Sequence, residues 1–309
     1  MKKILITTSS FDLSNFTEYD ALTKAGFDIQ LNPFNKKMTE EQITGLMDDN
    51  VIAMIAGTEP LTESVLSKAK GLKIIVRCGI GMDNLDMKAA NKLGIQVFNT
   101  PDAPTRSVAE LTLGHILSLL RRIPESDRMI RGGEWKALMG SLLYEQTVGV
   151  IGYGRIGKMV SKLLLAFGAK VLVYDIFTHD KTDDITFVSK QELLKHSDII
   201  TLHIPYTADN HHFINEEAFS LIKTNAMIVN VSRGGLIDDI ALYKAISEKK
   251  IAGAALDCFE QEPYSGELMN CECVQFTAHM GSYAKQSRIQ QEKDSCNTLV
   301  RELKLNNII

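Results

Sequence analysis

Apolar and polar positions alternate along the first part of the chain between two kinds of stretch. Short apolar runs have the length of buried β-strands, and the segments between them carry the spacing of amphipathic helices. Such alternation predicts a parallel sheet connected by crossover helices. The strand-like runs are "KILITT", "FDIQLN", "VIAMIAG" and "LKIIVRC", and the helix-like segments are "TEYDALTKAG", "TEEQITGLM" and "TESVLSKAK".

The rhythm changes after "GIQVFNTP". Residues 104–131 carry a long helical pattern with Pro104 near its start and an interruption at Pro124, which indicates entry into a second domain. The last stretch, "SYAKQSRIQQEKDSCNTLVRELK", predicts one amphipathic helix that is long enough to pack back on the first domain. Between them a second alternation has six strand-like runs, which favour a doubly wound nucleotide-binding sheet: "TVGVIGYG", "AKVLVYDI", "SDIITLHIP", "AMIVNVS", "IAGAALD" and "VQFTAH".

Composition agrees with a globular protein of roughly two domains, because the 309 residues are 45% hydrophobic and 23% charged. The formal net charge of -4 provides no global positive field, so binding to nucleic acid or to an anionic membrane is not expected. The apolar run in "MKKILITTSS" is too short for a signal peptide, and no run has the length of a membrane span. We therefore expect a cytoplasmic protein.

The five cysteines predict free thiols. Their number is odd, and no pair has the CxxC spacing of a redox or zinc site. Cys271 and Cys273 form a CxC without a nearby histidine pattern, so neither a metal centre nor a disulfide framework is expected.

A glycine-rich turn in "TVGVIGYGRIGKMVSKLL" carries the first chemical signal. Gly152, Gly154 and Gly157 form a GxGxxG between a strand-like and a helix-like run, which is the context that a dinucleotide-binding loop requires. The glycines allow a tight turn, and the helix N-terminus offers N–H groups and a positive dipole end to a pyrophosphate.

An acidic residue strengthens this hypothesis. The next strand-like run ends in Asp175, 18 residues after the last glycine, where a carboxylate can accept hydrogen bonds from the adenosine ribose. The carboxylate would repel a 2′-phosphate, and "DIFTHD" contains no arginine, so NAD is favoured over NADP. The alternative is a capping aspartate beside a structural glycine turn.

Polar residues follow several later strand-like runs, at the edge where open α/β sheets bind ligands. They are Arg233 in "VSRGG", Asp257 and Glu262 in "LDCFEQEP", and His279 in "TAHMGS". Singly, the arginine could be a surface ion pair, the glutamate a loop acid and the histidine a satisfied core residue. At successive strand ends of one dinucleotide-binding sheet, they indicate a site.

Their chemistry is complementary. Hydride transfer from a nicotinamide to a ketone leaves negative charge on the carbonyl oxygen, which needs a proton donor and a nearby positive charge. His279 can donate the proton, and a carboxylate on its other ring nitrogen, a role that suits Glu262, would favour the imidazolium form. Arg233 can hold a substrate carboxylate through paired hydrogen bonds.

With these residues in place, the sequence resembles the D-isomer-specific 2-hydroxyacid dehydrogenases, which include phosphoglycerate dehydrogenase and glyoxylate/hydroxypyruvate reductase. The resemblance covers nearly the whole chain. It is carried by "GTEPLT", "VRCGIGMDNLD", "NTPDAPTRSVAELTLG", "GVIGYGRIG", "LHIPYT", "NVSRGGLID", "ALDCFEQEP" and "TAHMGS".

The resemblance implies roles for individual residues. Arg233, Glu262 and His279 would be the catalytic arginine, glutamate and histidine. The substrate would meet Arg233 together with Arg77 and the loop residues Gly79, Ile80 and Gly81, whose backbone N–H groups face its carboxylate. The cofactor NAD would be lined by Gly152, Gly154, Arg155, Ile156, Gly157, Asp175, His203, Pro205, Val231, Ser232, Asp257 and Gly281.

The resemblance also implies an α/β fold of two domains. A Rossmann NAD-binding domain at 100–282 would be inserted into a flavodoxin-like substrate-binding lid domain formed by 1–99 and 283–309. The region 104–140 resembles the arm through which the family forms homodimers, with an ordinary intradomain helix as the alternative.

Two functions from different classes fit these features. One is an NAD-dependent dehydrogenase acting on a small 2-oxo or 2-hydroxy acid. The other is an NAD-sensing binding protein like the C-terminal-binding-protein corepressors, which share the fold and the three catalytic residues. We expect the enzyme, with a short unphosphorylated substrate, because basic residues that could bind a phosphate are sparse. A phosphoglycerate dehydrogenase without a regulatory domain stays open, and Arg77 is the residue that could bind such a phosphate.

Overall fold

The computed structural model describes residues 1–177 and 184–309. Within these residues the chain forms two compact units. Unit 1 consists of Met1–Pro104 and Tyr283–Ile309, and unit 2 consists of Thr105–Ser282. The chain thus passes from unit 1 to unit 2 at Pro104, five residues after the boundary that the sequence suggested, and returns after Ser282.

Unit 1 is built on a parallel sheet with the strand order β2-β1-β3-β4-β5. This is the order of flavodoxin-like folds, and it confirms the parallel sheet predicted from the alternating pattern. The strands are β1 (Lys2–Ile6), β2 (Phe27–Leu31), β3 (Val51–Ala56), β4 (Ile74–Arg77) and β5 (Gln96–Asn99). The helices are α1 (Tyr19–Lys24), α2 (Glu40–Leu46), α3 (Glu63–Leu66), α4 (Met87–Lys92) and the C-terminal α11 (Lys285–Leu305).

The C-terminal helix α11 completes the core of unit 1. Its side chains Leu299 and Leu303 are fully buried in one cluster with Ile4 and Ile6 of the first strand. The opposite face of the sheet packs a second cluster that includes Leu5 and Met54. Because successive side chains of a strand point to opposite faces, the continuous run "KILI" supplies both clusters.

Unit 2 is built on a second parallel sheet, with the order β12-β11-β10-β9-β6-β7-β8 in the described residues. Reversal of the strand order at β6 makes the sheet doubly wound, as predicted. The short strand β8 was not predicted, because its three residues are too few to show a period. The strands are β6 (Thr147–Ile151), β7 (Lys170–Tyr174), β8 (Ile185–Phe187), β9 (Ile199–Leu202), β10 (Met227–Asn230), β11 (Gly253–Leu256) and β12 (Val274–Phe276).

The long helical pattern at 104–131 forms two helices rather than one. The first, α5, ends at Leu120, and Arg122 then adopts a left-handed conformation with φ of +53°. Pro124 lies at the start of the second helix, where its fixed φ is favourable, so the break precedes the proline that we expected to cause it. The helices of unit 2 are α5 (Thr105–Leu120), α6 (Ile123–Arg131), α7 (Arg155–Ala166), α8 (Lys190–His196), α9 (Glu216–Leu221) and α10 (Asp239–Ser247).

None of the helices in the described ranges is long and apolar enough to cross a membrane. All five cysteines are free, and Cys78, Cys258 and Cys296 are buried.

Candidate active site

The glycine-rich loop of unit 2 follows β6 directly. Gly152 has φ of +95°, and a Cβ atom there would lie 2.7 Å from the carbonyl oxygen of His203. A Cβ on Gly157 would overlap the carbonyl oxygen of Gly152. Only glycine fits these two positions, because the first turn is left-handed and the second brings helix α7 against the strand end.

Gly154 differs from its two neighbours in the motif. Its φ is -75°, and a Cβ built there meets no atom of the described residues within 4 Å. It is the N-cap of α7, yet among the described residues no side chain caps this helix, and its first turn contains no acidic residue. The first N–H groups of a helix need acceptors, and the dipole favours an anion. The open cradle above Gly154 therefore fits the pyrophosphate of a dinucleotide.

Asp175 lies beside this loop. One oxygen of its carboxylate accepts a hydrogen bond from the backbone N–H of Tyr153 at 2.5 Å, and the other accepts one from Phe177 at 2.8 Å. The carboxylate predicted to bind the adenosine ribose is thus held beside the loop predicted to bind the pyrophosphate. The rest of "DIFTHD" after Phe177 lies outside the described residues.

His203 follows β9, and its environment keeps the ring neutral. Its Nε2 lies 3.0 Å from Oγ1 of Thr201, while its Nδ1 is buried with no hydrogen-bond partner among the described residues. Although part of the residue reaches the surface, burial of the ring lowers the pKa of His203 to about 3.

The other predicted cofactor residues occupy the same carboxyl edge of the sheet. Ser232 donates its hydroxyl to the carbonyl oxygen of Leu202 at 2.6 Å. Gly281 packs so closely on Val231 that a Cβ there would lie 3.2 Å from a methyl group of the valine. The side chains of Arg155 and Pro205 are exposed, and that of Ile156 is half-buried against the core.

The structure brings Glu262 and His279 into direct contact. Both carboxylate oxygens lie 2.9 Å from Nδ1 of the imidazole ring. Both side chains are partly exposed, with 43% of His279 and 32% of Glu262 accessible, so the pair can meet a ligand. Because the glutamate occupies Nδ1, the ring is oriented with Nε2 as the nitrogen that faces away from it.

Asp257 holds the turn that carries His279. Its buried carboxylate accepts hydrogen bonds from the backbone N–H groups of Met280 and Gly281, each at 2.8 Å, and from the hydroxyl of Thr277 at 2.6 Å. His279 itself has φ of +50°, which is uncommon outside glycine. The three hydrogen bonds on either side of His279 fix this conformation.

Two residues of this arrangement were missed from the sequence. The hydroxyl of Thr277 bonds to Asp257 and also lies 3.1 Å from Nε2 of His115, a buried residue of α5. Because the hydroxyl hydrogen goes to the carboxylate, its oxygen accepts from His115. Burial lowers the pKa of His115. Thr277 stands two residues before His279 and could have been noticed, but His115 is 162 residues away from Thr277.

Arg233 lies directly after β10, in a segment fixed by its neighbours. The side-chain amide of Asn230 donates to the carbonyl oxygen of Arg233 at 2.8 Å, and the guanidinium donates to that of Ser232 at 2.8 Å. Gly234 packs against the backbone of Phe259, where a Cβ would overlap. This contact joins the segments that carry Arg233 and Glu262.

The thiol of Cys258 lies among the same charges. Burial raises its pKa well above the ordinary value, and the charges of Asp257, Arg233 and Glu262 all act on it. Three predicted site residues therefore lie in one electrostatic environment. The thiol itself is inert, because it is buried and protonated.

The predicted substrate loop belongs to unit 1. The N–H of Gly79 donates to Oγ1 of Thr100 at 2.9 Å, whereas the N–H groups of Ile80 and Gly81 find no acceptor among the described residues. Arg77 is only 7% exposed, and its guanidinium donates to the carbonyl oxygen of Cys78. It also acts electrostatically on the buried carboxyl of Glu59, whose pKa is raised by burial.

Residues 113–281 match the family model described as "D-isomer specific 2-hydroxyacid dehydrogenase, NAD binding domain". The chain belongs to this dehydrogenase family. A hydroxypyruvate reductase of Thermotoga maritima is 34% identical over 295 residues, which cover 92% of this chain and 96% of that protein. A D-3-phosphoglycerate dehydrogenase of Methanocaldococcus jannaschii is 43% identical over 256 residues, covering 81% of this chain and 49% of the relative. The chain thus spans about half the length of that relative.

Solved structures of the dehydrogenase family share the fold. A D-lactate dehydrogenase of Aquifex aeolicus, in complex with NAD and lactic acid, is 30% identical with a TM-score of 0.84. The alignment covers 97% of this chain and 95% of that structure. The NAD-binding domain of the family model spans the open cradle at Gly154 and the acid at Asp175.

Proposed function

We propose that the protein is an NAD-dependent D-2-hydroxyacid dehydrogenase that interconverts a small 2-oxo acid and the D-2-hydroxy acid. The observation that carries this proposal is the contact of both Glu262 oxygens with Nδ1 of His279. A histidine oriented in this way is a proton donor and acceptor at its other nitrogen. The phosphate cradle at Gly154 lies in the same unit, which supports a nicotinamide dinucleotide as the redox partner.

His279, Glu262 and Arg233 have separate roles in the proposed reaction. NADH, when bound, supplies the hydride that reduces C2 of the 2-oxo acid. His279 gives a proton from Nε2 to the carbonyl oxygen, and Glu262 stabilises the imidazolium and fixes its orientation. Arg233 binds the substrate carboxylate and stabilises the charge that develops on the oxygen. In the reverse direction His279 accepts the hydroxyl proton.

We propose a short, unphosphorylated substrate such as glyoxylate, hydroxypyruvate or pyruvate. Two features of the loop at 78–81 support this. The N–H groups of Ile80 and Gly81 are suited to a carboxylate, and the guanidinium of Arg77 is buried against the backbone, where it donates to the carbonyl oxygen of Cys78. An arginine so buried is a poor ligand for a substrate phosphate.

A second candidate is the oxidation of 3-phosphoglycerate. It is favoured by the 43% identity with the archaeal phosphoglycerate dehydrogenase. Paired kinetics with hydroxypyruvate and phosphohydroxypyruvate separate the candidates. For the unphosphorylated substrate, Arg77→Ala should leave kcat/KM largely unchanged. A strong preference for the phosphorylated substrate that this variant abolishes would favour the second candidate.

The decisive experiment is a turnover assay. Purified protein is assayed with NADH and a panel of 2-oxo acids, and His279→Ala is compared with the wild type. We expect His279→Ala to lower kcat by about 10²–10⁴-fold, the usual contribution of a general acid, with little change in NADH affinity. Near-normal turnover in the variant would remove His279 from the mechanism. NADH binding without any turnover would favour the corepressor-like alternative.

We also propose a homodimer formed through the region 104–140. Four large apolar side chains there are strongly exposed in the single chain, with Trp135 at 91%, Met139 at 87%, Ile123 at 54% and Ile130 at 50%. Exposed apolar residues so grouped mark an interaction surface. Light scattering after size exclusion should give the dimer mass for the wild type and a smaller mass for Trp135→Asp.

A cytoplasmic location is proposed from the five free cysteines, because thiols persist in reducing compartments. Cell fractionation followed by immunoblotting tests it, and recovery of the protein in an extracytoplasmic fraction would contradict it.

A further inference from the structure

Two adjacent histidines, His211 and His212, lie outside the proposed active site. They follow β9, in the segment "PYTADNHHFIN", and come close to Glu260 after β11. One nitrogen of each ring and one carboxylate oxygen of Glu260 lie within 4.8 Å of one another. The proposed function assigns no role to these three residues.

Nδ1 of each ring faces an oxygen atom of a neighbouring side chain. Nδ1 of His211 lies 3.2 Å from the hydroxyl of Tyr206, and Nδ1 of His212 lies 3.6 Å from the carboxylate of Asp238. Nε2 of His212 contacts Glu260. A ligating histidine typically has its other ring nitrogen on a carboxylate or a similar acceptor, which fixes its orientation. Nδ1 of His211 has a hydroxyl partner at hydrogen-bond distance, and Nδ1 of His212 faces a carboxylate slightly beyond that distance.

Backbone hydrogen bonds and close packing hold Asp238, Tyr206 and His212 in place. The other oxygen of Asp238 accepts from the N–H groups of Ile240 and Ala241 as the N-cap of α10. The Tyr206 ring packs against Gly235, where a Cβ atom would lie 2.6 Å from the ring. His212 has φ of +54°, and its N–H donates to the carbonyl oxygen of Gly235 at 2.8 Å.

The charges around the two rings also favour a cation. The imidazole rings stack with their centroids 3.7 Å apart, so the two rings lie side by side at the same place on the surface. Two carboxylates lie beside His212, since Glu260 contacts its Nε2 and Asp238 lies 3.6 Å from its Nδ1. Imidazole nitrogens together with carboxylate oxygens are the donor set of a divalent transition metal.

We propose that His211, His212 and Glu260 bind a divalent transition metal ion of the zinc class. Two ligands of a tetrahedral zinc ion lie about 3.3 Å apart, because each bond is about 2.0–2.1 Å long. The three donors reach this geometry through small rotations of the exposed side chains of His211 and Glu260. The fourth position is left to water, as in three-ligand zinc sites.

The ion would connect segments after β9 and β11. The segment after β10 carries Arg233, and the segment after β11 carries Glu262. The segment after β10 also contacts His212, through the carbonyl oxygen of Gly235 and the carboxylate of Asp238. Metal binding would therefore stabilise unit 2 by linking strand-end segments that are separate in the chain. This inference does not depend on the proposed dehydrogenase activity.

The test is a titration of metal-free protein with Zn²⁺ by isothermal calorimetry, together with thermal unfolding. We expect saturable binding of one ion and a rise in Tm. His211→Gln and Glu260→Gln should each weaken binding at least about tenfold, and Tyr206→Phe should weaken it about tenfold through the lost orienting contact. His196→Gln, at an exposed histidine outside the cluster, is the matched control and should bind as the wild type.

A second control addresses the thiols of Cys271 and Cys273. A double variant, Cys271→Ser with Cys273→Ser, should retain the binding. Absence of saturable binding in the wild type would overturn the proposal. Binding that survives both His211→Gln and Glu260→Gln, or that disappears in the cysteine variant, would also overturn it, because the ion would then lie elsewhere.

Discussion

Gly152 and Gly154 stand two residues apart in the same loop, yet alanine at these positions should have opposite effects. At Gly152, alanine must adopt a φ of +95°, which costs about 1–3 kcal/mol for a residue with a Cβ. Its Cβ would also lie 2.7 Å from one atom and 2.8 Å from two others, and such overpacking costs about 1–3 kcal/mol. Together these terms lower the free energy of unfolding by about 2–6 kcal/mol.

This loss is large enough to measure by calorimetry or urea unfolding. Each kcal/mol shifts Tm by about 2–4 °C in a domain of this size, so Gly152→Ala should unfold about 4–24 °C below the wild type. Gly154→Ala has an allowed φ and no neighbour within 4 Å, so its stability should change by less than about 1 kcal/mol.

For NADH binding we expect the larger effect at Gly154, the position where alanine hardly changes stability. The methyl group of Gly154→Ala enters the cradle that we assign to the pyrophosphate, so Kd for NADH should rise at least about tenfold, or about 1.4 kcal/mol. Fluorescence titration of NADH measures this on a protein that remains folded. Wild-type affinity in Gly154→Ala would refute the placement of the cofactor, and wild-type stability in Gly152→Ala would refute the steric account of the turn.

Three further outcomes are expected. Asp175→Ala should raise the ratio of kcat/KM for NADPH over NADH, because the carboxylate that repels a 2′-phosphate is removed; a wild type that already prefers NADPH would contradict this role. Because His203 has a pKa of about 3 in the fold against 6.5 for an ordinary histidine, the unfolded state alone gains the proton below pH 6.5. Urea unfolding should therefore show a loss of up to about 1.4 kcal/mol per pH unit on acidification, reduced in His203→Gln. Thr277→Val removes the hydroxyl that donates to Asp257 and contacts Nε2 of His115, so we expect a loss of about 1–3 kcal/mol in the free energy of unfolding and a lower kcat. Unchanged values would remove Thr277 from the support of His279.

The architecture was readable from sequence because parallel strands that are buried on both faces form continuous apolar runs. The two sheets and the domain insertion follow from such runs and from the family resemblance. Strand β8 was missed because three residues carry no period, and the break before α6 was placed at Pro124 although a proline begins a helix more readily than it ends one.

Within the candidate site, the chemical roles of the residues predicted which side chains interact, but not the direction in which a long side chain points. The pairing of Glu262 with His279 could be proposed from complementary roles alone, and the structure has the two side chains hydrogen-bonded. The inward turn of Arg77 could not be predicted, because its sequence position gives the strand end but not the direction of a long side chain. The contact of His115 with Thr277 joins distant parts of the chain, which no local pattern reveals.

The division of unit 1 between the two ends of the sequence has a consequence for biosynthesis. During translation the strands β1–β5 emerge first, but one face of their sheet is covered by α11, which is made only after all of unit 2. Until then Ile4, Ile6 and their neighbours lack the part of their cover that α11 supplies, and the exposed apolar surface favours association between nascent chains. Unit 2 is continuous and can fold as it leaves the ribosome. Chaperone dependence should therefore be concentrated in the N-terminal segment, and a circular permutant that begins at Tyr283 should depend on chaperones less than the natural order does.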